Sequence, residues 1–147
     1  MKNKISIVKI GGNIINDESA LSAFLEKFAA LEGSKILVHG GGKLATSLAQ
    51  QMNVKVNIKE GRRITDAATL DIITMTYAGK INKQIVARLQ AHQCNAMGFS
   101  GADGNTIVSE KRPVKDIDYG FGGDIQSVHT ETLDLLIQKN ITPVFCA

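Results

Sequence analysis

Residues 35–47 read KILVHGGGKLATS, and this stretch decides how the rest of the chain is interpreted. Its apolar part, 36–38, predicts a short buried strand. Gly40, Gly41 and Gly42 follow, and a helix-compatible segment begins at Lys43. A strand that turns through glycines into a helix presents bare backbone N–H groups and a positive helix end at one place. The stretch therefore predicts an anion-binding turn, and the alternative is a tight turn without a ligand.

The N-terminal segment repeats this arrangement. Residues 5–10, ISIVKI, predict a strand, Gly11 and Gly12 follow it, and a helix is predicted from Asn16 or Asp17. Because the carboxyl ends of neighbouring parallel strands border one crevice, the two glycine turns are expected to face the same ligand. Neither turn has the spacing G-x-x-x-x-G-K-[ST] or G-x-G-x-x-G, which excludes the P-loop and the dinucleotide-binding fingerprint.

Composition and charge narrow the class of protein. The chain has 147 residues, 44% hydrophobic and 21% charged, as expected for one globular domain with a sizeable core. The net charge is only +3 and Trp is absent, so no nucleic-acid partner is predicted. Without a signal-peptide region or a long apolar stretch, a soluble cytoplasmic protein with no membrane partner is expected. Cys94 and Cys146 are interpreted as small buried hydrophobes.

The remaining pattern alternates between helices and strands. Helices are predicted at 17–31, 42–51, 65–91 and 130–139, and further strands at 54–60, 95–99 and 141–146. The longest helix is expected to bury one stripe, Leu70, Ile73, Tyr77, Ile81, Ile85 and Leu89. Two short β-like pieces within 105–129 flank a glycine-rich loop, which predicts a flap over a ligand or an ordinary hairpin loop. The predicted fold class is α/β, a mostly parallel open sheet with helices on both faces plus a β-hairpin flap.

Four motifs in order carry a resemblance to a known family: VKIGG at 8–12, VHGGGK at 38–43, GRRIT at 61–65 and YGFGGDIQSV at 119–128. Together they resemble acetylglutamate kinase, an amino-acid kinase of arginine biosynthesis that phosphorylates the side-chain carboxylate of N-acetylglutamate with MgATP. Members of that family are longer than this chain. The resemblance therefore implies that 1–147 is the N-terminal lobe, which binds acyl-glutamate and forms a homodimer. It also implies that the nucleotide-binding lobe lies outside this chain and that the chain alone is inactive.

The resemblance assigns roles to residues of the two glycine turns. Lys9 corresponds to the lysine that stabilises the transferring phosphoryl group, and Gly11 and Gly12 to the turn that donates N–H groups to the phosphates. Gly41 and Gly42 correspond to the turn that contacts the acyl-glutamate. These roles of a lysine and of backbone N–H groups suit phosphoryl transfer, in which cationic and N–H donors supply most of the catalysis. ATP with Mg²⁺ is implied as co-substrate, with no tightly bound cofactor.

Substrate recognition is assigned to the GRRIT motif and the flap. Arg63, with Arg62 as the competing candidate, corresponds to the arginine that clamps a substrate carboxylate, for which a planar guanidinium is well suited. The flap corresponds to the hairpin that closes over the acyl group, and its residues are Tyr119, Phe121, Gly122 and Gly123. Gly122 stands where many relatives have a bulkier residue, so a succinyl group is an alternative to acetyl.

Other interpretations of the same residues remain open. His39 is interpreted as a structural histidine, because a carboxylate nucleophile is already ionised and needs no general base. Asp103 and Asp124 lie in turns where Asp commonly bonds locally, so no metal ligand is assigned. One alternative function keeps the fold and changes the acceptor to glutamate, aspartate or carbamate. Another is a non-catalytic module that binds acyl-glutamate or a phosphate-bearing metabolite.

Overall fold

Four parallel strands form the central sheet of the structure, a computed structural model that describes residues 4–146. In chain order the strands are β1 (Ile5–Ile10), β2 (Ser34–His39), β3 (Asn57–Lys59), β4 (Arg62–Ile64), β5 (Ala96–Phe99), β6 (Ile107–Lys111), β7 (Gly123–Val128) and β8 (Thr142–Cys146). The helices are α1 (Gly12–Ile15), α2 (Glu18–Ala30), α3 (Gly42–Gln51), α4 (Ala67–Ile73), α5 (Asn82–Ala91) and α6 (Glu131–Gln138). A π-helical segment, Thr74–Ile81, joins α4 to α5.

The sheet order is β1-β2-β8-β5, with β8 inserted between two strands that precede it in the chain. All three pairings within this sheet are parallel. The remaining strands form two antiparallel hairpins, β3–β4 and β6–β7. The predicted fold class, a mostly parallel sheet with an additional β-hairpin, is confirmed.

Helices cover both faces of the sheet. One face packs against α2 and α5, and its buried core includes Leu21, Leu25, Phe28, Leu37, Ile85, Leu89 and Val144. The opposite face packs against α6 through a smaller cluster, Ile36, Phe99, Leu133 and Phe145. Ile36 and Leu37 are adjacent in β2 and belong to different clusters, because successive side chains of a strand point to opposite faces.

The first half of the long helix differs from its predicted register by one residue, whereas Ile81, Ile85 and Leu89 are buried as predicted. Its buried positions are Thr69, Ile72, Thr76, Ile81, Asn82, Ile85 and Leu89. The spacing of three or four residues is interrupted between Thr76 and Ile81, where the π-helical segment lies. A π-helix bonds each residue to the fifth along the chain and so takes one extra residue per turn. Leu70, Ile73 and Tyr77, which the predicted stripe buries, are therefore only half-buried.

Two further expectations need correction. The predicted strand 54–60 shrinks to β3, because Val54 and Val56 pack as loop residues beside α3 and α4 and Ile58 is 56% exposed. Glu60 and Gly61 both have positive φ, which closes the hairpin to β4. The four-residue helix α1 was not predicted.

Smaller expectations agree with the structure or nearly so. Asp17 caps α2 by accepting a hydrogen bond from the Ala20 N–H at 2.9 Å. Asn140 has positive φ just beyond α6. Cys94 is buried and Cys146 half-buried, and both are free thiols. Within residues 4–146, no helix is both long enough and apolar enough to cross a membrane.

Candidate active site

The two glycine turns lie side by side at the carboxyl edge of the sheet. β1 and β2 pair in parallel, with Ile10 opposite His39. The Gly40 N–H donates to the Ile10 carbonyl at 3.3 Å, which ties the two turns together. Each turn leads directly into a helix, the first into α1 and the second into α3. The predicted arrangement of strand, glycines and helix start is thus found at the second turn, whereas at the first turn a helix begins already at Gly12, ahead of the predicted Asn16 or Asp17.

Gly41 occupies a position that admits no side chain. A Cβ atom there would lie 2.2 Å from Ile81 Cδ1 and 3.2 Å from the Tyr77 ring, both in the π-helical segment. The helix α3 then starts at Gly42, and no side chain of the described residues caps it. The first N–H groups of a helix have no acceptor within that helix, so those of α3 are available to an anion.

Arg63 lies over the first turn of α3. Its Nη2 atom donates to Thr46 Oγ1 at 2.9 Å and to the Gly42 carbonyl at 3.2 Å. These contacts complete a cavity of about 600 Å³ lined by Gly12, Gly42, Lys43, Thr46, Ile58, Gly61, Arg63 and Tyr77. One residue from each glycine turn therefore meets the predicted carboxylate-binding arginine in a single cavity. Arg62 is exposed on the same short strand and does not line it.

Tyr77 adds a hydroxyl group to this cavity. Burial raises the pKa of the Tyr77 phenol, and the nearby positive charge of Arg63 acts in the opposite direction. The phenol is consequently protonated at neutral pH and can donate a hydrogen bond. The cavity thus combines backbone N–H groups, a guanidinium and a neutral phenol, a set of donors suited to an anionic ligand.

Lys9 lies outside this cavity. It precedes Gly11 by two residues, is exposed, and pairs with Val38 of β2. Strand alternation places Lys9 on the sheet face opposite Ile10, the same face as Ile7, which is 69% exposed. The predicted catalytic lysine is therefore at the level of the glycine turns but not among the residues that surround Arg63.

The flap is attached to the end of the Arg63 hairpin. The Thr65 N–H donates to the Tyr119 carbonyl at 3.1 Å, and the Phe121 N–H donates to the Thr65 carbonyl at 2.8 Å. Gly120 lies between these bonds with φ +65°, and a Cβ atom there would lie 2.1 Å from the Thr65 oxygen. The Tyr119 hydroxyl also donates to Glu60 Oε2 at 3.4 Å. The loop is thus fixed at two points close to the cavity.

Three of the four predicted flap residues border two neighbouring cavities instead of the Arg63 cavity itself. Tyr119 lines one of about 410 Å³ together with Glu60, Arg112 and Asp124. Another, of about 400 Å³, is lined by Ser109, Glu110, Lys111, Gly120, Phe121 and Gly123. Gly122 is close-packed within its own loop, since a Cβ atom there would lie 3.2 Å from Tyr119 Cβ.

Asp103 and Asp124, to which no metal-binding role was assigned, each bond to a neighbouring residue of the protein. Asp124 forms an ion pair with Arg112, whose hydrogen bonds hold the pKa of the Asp124 carboxyl below its ordinary value. Asp103 accepts hydrogen bonds from the N–H and hydroxyl of Ser100, which lower its pKa as well. Residues 4–146 contain no group of three or more His, Cys, Asp or Glu that could hold a metal ion.

His39 is a fully buried residue with two hydrogen-bonding partners. Its Nδ1 atom lies 2.9 Å from the Gly40 carbonyl, and its Nε2 atom lies 3.0 Å from Asn82 Nδ2. A carbonyl only accepts and an amide nitrogen only donates, so the ring is neutral with its proton on Nδ1. Burial lowers the His39 pKa, in agreement with that state. The structural interpretation of His39 is consistent with this geometry.

No individual role was predicted for four residues of the site region, although Gly120 lies within the YGFGGDIQSV motif. They are Thr46, which contacts Arg63; Asn82, which contacts His39; Gly98, which packs under Asn82; and Gly120, which packs under Thr65. A polar Asn among the apolar residues of a helix stripe was the one available signal. The others depend on contacts between distant segments.

Comparison with known proteins gives a consistent result. Residues 4–147 match the amino acid kinase family. The acetylglutamate kinase of Cytophaga hutchinsonii is 54% identical over 142 residues, which cover 96% of this chain and 54% of that protein. The acetylglutamate kinase of Phocaeicola vulgatus is 54% identical over 144 residues, covering 98% and 56% respectively. The chain thus spans about half the length of the curated relatives it matches.

Solved structures share the fold at low sequence identity. The structure of smu.665 from Streptococcus mutans UA159 has a TM-score of 0.82 at 17% identity, covering 97% of this chain and 58% of that one. N-acetylglutamate synthase from Neisseria gonorrhoeae, complexed with coenzyme A and N-acetyl-glutamate, has a TM-score of 0.78 at 18% identity, covering 97% and 33%. The family match covers residues 4–147, and the parallel sheet with its paired glycine turns agrees with it. The chain therefore belongs to the amino acid kinase family.

Proposed function

We propose that this chain is the acyl-glutamate-binding lobe of a kinase that transfers the γ-phosphoryl group of ATP to the side-chain carboxylate of N-acetyl-L-glutamate, in arginine biosynthesis. The observation that carries the proposal is the cavity in which Gly12, Gly42 and Arg63 meet. The sequence similarity to acetylglutamate kinases over nearly the whole chain supports the choice of acceptor.

The proposed reaction needs little covalent chemistry from the protein. A carboxylate oxygen of the substrate forms a bond to the γ-phosphorus, the bond from that phosphorus to the bridging oxygen breaks, and ADP leaves with an acyl phosphate as product. The nucleophile is already ionised at neutral pH, so no general base is required. What the site has to supply is alignment of two anionic substrates and stabilisation of charge on the phosphoryl oxygens.

Each predicted residue has a place in this scheme. Arg63, which is half-buried, would bind one carboxylate of the substrate, a role that suits a guanidinium. The N–H groups of the turns at Gly11–Gly12 and Gly41–Gly42 would contact the phosphates and the reacting carboxylate. Lys9, two residues before the first turn, would place a cation beside the transferring group when ATP with Mg²⁺ is bound.

The flap would close over the acyl group of the substrate. Its attachment at Thr65 supports this role, because Thr65 follows Arg63 by two residues and orients the loop towards the Arg63 hairpin. Gly122 packs against Tyr119, and a larger residue there would press on that side chain. Succinyl therefore remains the second acyl group to test. The family resemblance also leads us to propose a homodimer that works in the cytoplasm.

The acceptor is tested by trapping the acyl phosphate with hydroxylamine. The whole protein is incubated with MgATP in separate reactions, each of which contains one candidate acceptor: N-acetyl-L-glutamate, N-succinyl-L-glutamate, glutamate, aspartate or carbamate. We expect hydroxamate from an N-acylated glutamate and none above background from glutamate or aspartate. Equal product from free glutamate would reject the proposed acceptor. Binding of acyl-glutamate without any transfer would indicate a binding module instead of a kinase.

A further inference from the structure

We propose that Thr46 is a positioning residue, whose hydroxyl holds the Arg63 guanidinium in the orientation that receives the substrate carboxylate. This inference rests on the proposed function, because it concerns the same cavity. Neither the glycine motif nor the GRRIT motif includes Thr46, which lies in the second turn of α3.

The hydrogen bonds of Thr46 fix the direction of its hydroxyl proton. Its Oγ1 atom donates to the Gly42 carbonyl at 2.9 Å and accepts from Arg63 Nη2 at 2.9 Å. A guanidinium cannot accept and a carbonyl cannot donate, so the roles cannot be exchanged. The hydroxyl therefore links the start of α3 to the arginine through one defined chain of bonds.

The contacts at Arg63 leave most of the guanidinium available. Its two acceptors, the Gly42 carbonyl and Thr46 Oγ1, both contact Nη2 and lie within hydrogen-bonding distance of each other. Within residues 4–146, Nε and Nη1 have no hydrogen-bonding partner on the protein. A guanidinium carries five N–H groups, so it can keep its contact with Thr46 and still bind a carboxylate.

The Arg63 backbone is held independently of Thr46. Arg63 pairs with Ile58 across the β3–β4 hairpin, and the hairpin is tied to the flap through Thr65. Loss of the Thr46 hydroxyl should therefore leave the hairpin in place and release only the side chain. An arginine side chain has substantial rotamer freedom, and a ligand that must order it binds more weakly.

The test compares two substitutions at this position with a control on the same helix. Thr46→Val removes the hydroxyl and keeps the shape, Thr46→Ser keeps the hydroxyl, and Ser47→Ala changes an exposed neighbour. In calorimetric titrations with N-acetyl-L-glutamate we expect Thr46→Val to weaken binding roughly 10-fold, as for loss of one bond to a charged group. Thr46→Ser and Ser47→Ala should stay within about 2-fold of the unmodified chain.

A double-substitution cycle separates positioning from a general structural effect. In an Arg63→Ala background, Thr46→Val should change the affinity for N-acetyl-L-glutamate little further, because the group it positions is gone. Equal losses in the two backgrounds, or unchanged binding by Thr46→Val alone, would overturn the proposal.

A spectroscopic measurement keeps the inference testable if the unmodified chain does not bind N-acetyl-L-glutamate. The ¹⁵Nη resonances of Arg63, assigned by their loss in Arg63→Ala, should shift and their protons exchange faster in Thr46→Val but not in Ser47→Ala, because Thr46 contacts Nη2. If the chain does not bind N-acetyl-L-glutamate but the Arg63 signal shifts in Thr46→Val, the proposed substrate half-site is rejected and the contact between Thr46 and Arg63 is supported. An unchanged Arg63 signal in Thr46→Val would reject the contact itself.

Discussion

Asn82 donates one amide N–H to His39 Nε2 at 3.0 Å and lies 2.9 Å from the Val144 carbonyl, which accepts from the same nitrogen. The start of α5 is thereby bonded to the last residue of β2 and to the middle of the neighbouring strand β8. His39 is itself bonded to the second glycine turn, because its Nδ1–H donates to the Gly40 carbonyl. The conformation of the turn therefore depends on a residue far from it in the sequence.

Substitution of Asn82 should cost substantial stability. Asn82→Ala leaves His39 Nε2 and the Val144 carbonyl without their donor in a buried region, and each unpaired group costs about 1–3 kcal/mol. We expect the free energy of unfolding to fall by about 2–4 kcal/mol in urea titrations. Gln84→Ala, an exposed position on α5, is the control and should change it by less than about 0.5 kcal/mol. Similar losses in both variants would contradict the assigned role of Asn82.

Protonation of His39 should destabilise the fold in mildly acidic solution. Burial lowers the folded-state pKa of His39 below its ordinary value of 6.5. As the pH falls below 6.5, the unfolded chain takes up a proton on this residue before the folded chain does, so stability decreases. The measurement is the urea midpoint as a function of pH, with His39→Gln as the comparison. If the urea midpoint of the unmodified chain and that of His39→Gln fall equally as the pH decreases, His39 is not the source of the pH dependence.

Gly98 should be intolerant of even a methyl group. A Cβ atom at Gly98 would lie 1.8 Å from Asn82 Oδ1, so Gly98→Ala must displace the amide that bonds His39. We expect a loss of about 1–3 kcal/mol in the free energy of unfolding. Gly79→Ala is a matched control, because its Cβ atom would have only one neighbour, at 3.8 Å, within a helical segment. That control should be neutral or stabilise by up to about 1 kcal/mol, and a larger loss in it than in Gly98→Ala would contradict the packing described.

Gly120 should control the attachment of the flap. Gly120→Ala places a Cβ atom against the Thr65 oxygen at a residue with positive φ, so the paired bonds between Thr65 and the flap should break. Hydrogen exchange at the Thr65 and Phe121 amides is expected to accelerate at least about 10-fold. Val114→Ala, an exposed residue of the same loop, should leave that exchange unchanged. Persistent protection in Gly120→Ala would mean that the loop is held elsewhere.

The sequence predicts local features of this fold well. The strands at Ile5–Ile10 and Ser34–His39, and the glycines after each, are found as expected because strand pattern and turn chemistry depend on adjacent residues. The π-helical segment was missed because one inserted residue shifts a four-residue spacing without any change in composition. The strand predicted at 54–60 was too long, because apolar and polar residues also alternate in a loop that packs one side against helices.

The candidate site could be predicted only in part for a related reason. Arg63 and the glycines belong to recognisable motifs, and the structure brings Gly12, Gly42 and Arg63 to one cavity. Thr46 and Asn82 act through side-chain contacts between segments that are distant in sequence. Such contacts have no motif signature, and apart from the polar Asn82 among apolar helix residues they become visible only in three dimensions.

The most direct test of the central claim is a calorimetric titration of this chain with N-acetyl-L-glutamate, made with the unmodified chain, Arg63→Ala and Arg62→Ala. The two arginines are adjacent in β4, but only Arg63 lines the cavity. We predict saturable binding that Arg63→Ala weakens at least about 10-fold and Arg62→Ala changes by less than about 2-fold. Equal weakening by both substitutions, or binding unaffected by Arg63→Ala, would contradict the assignment of this cavity to the acyl-glutamate carboxylate.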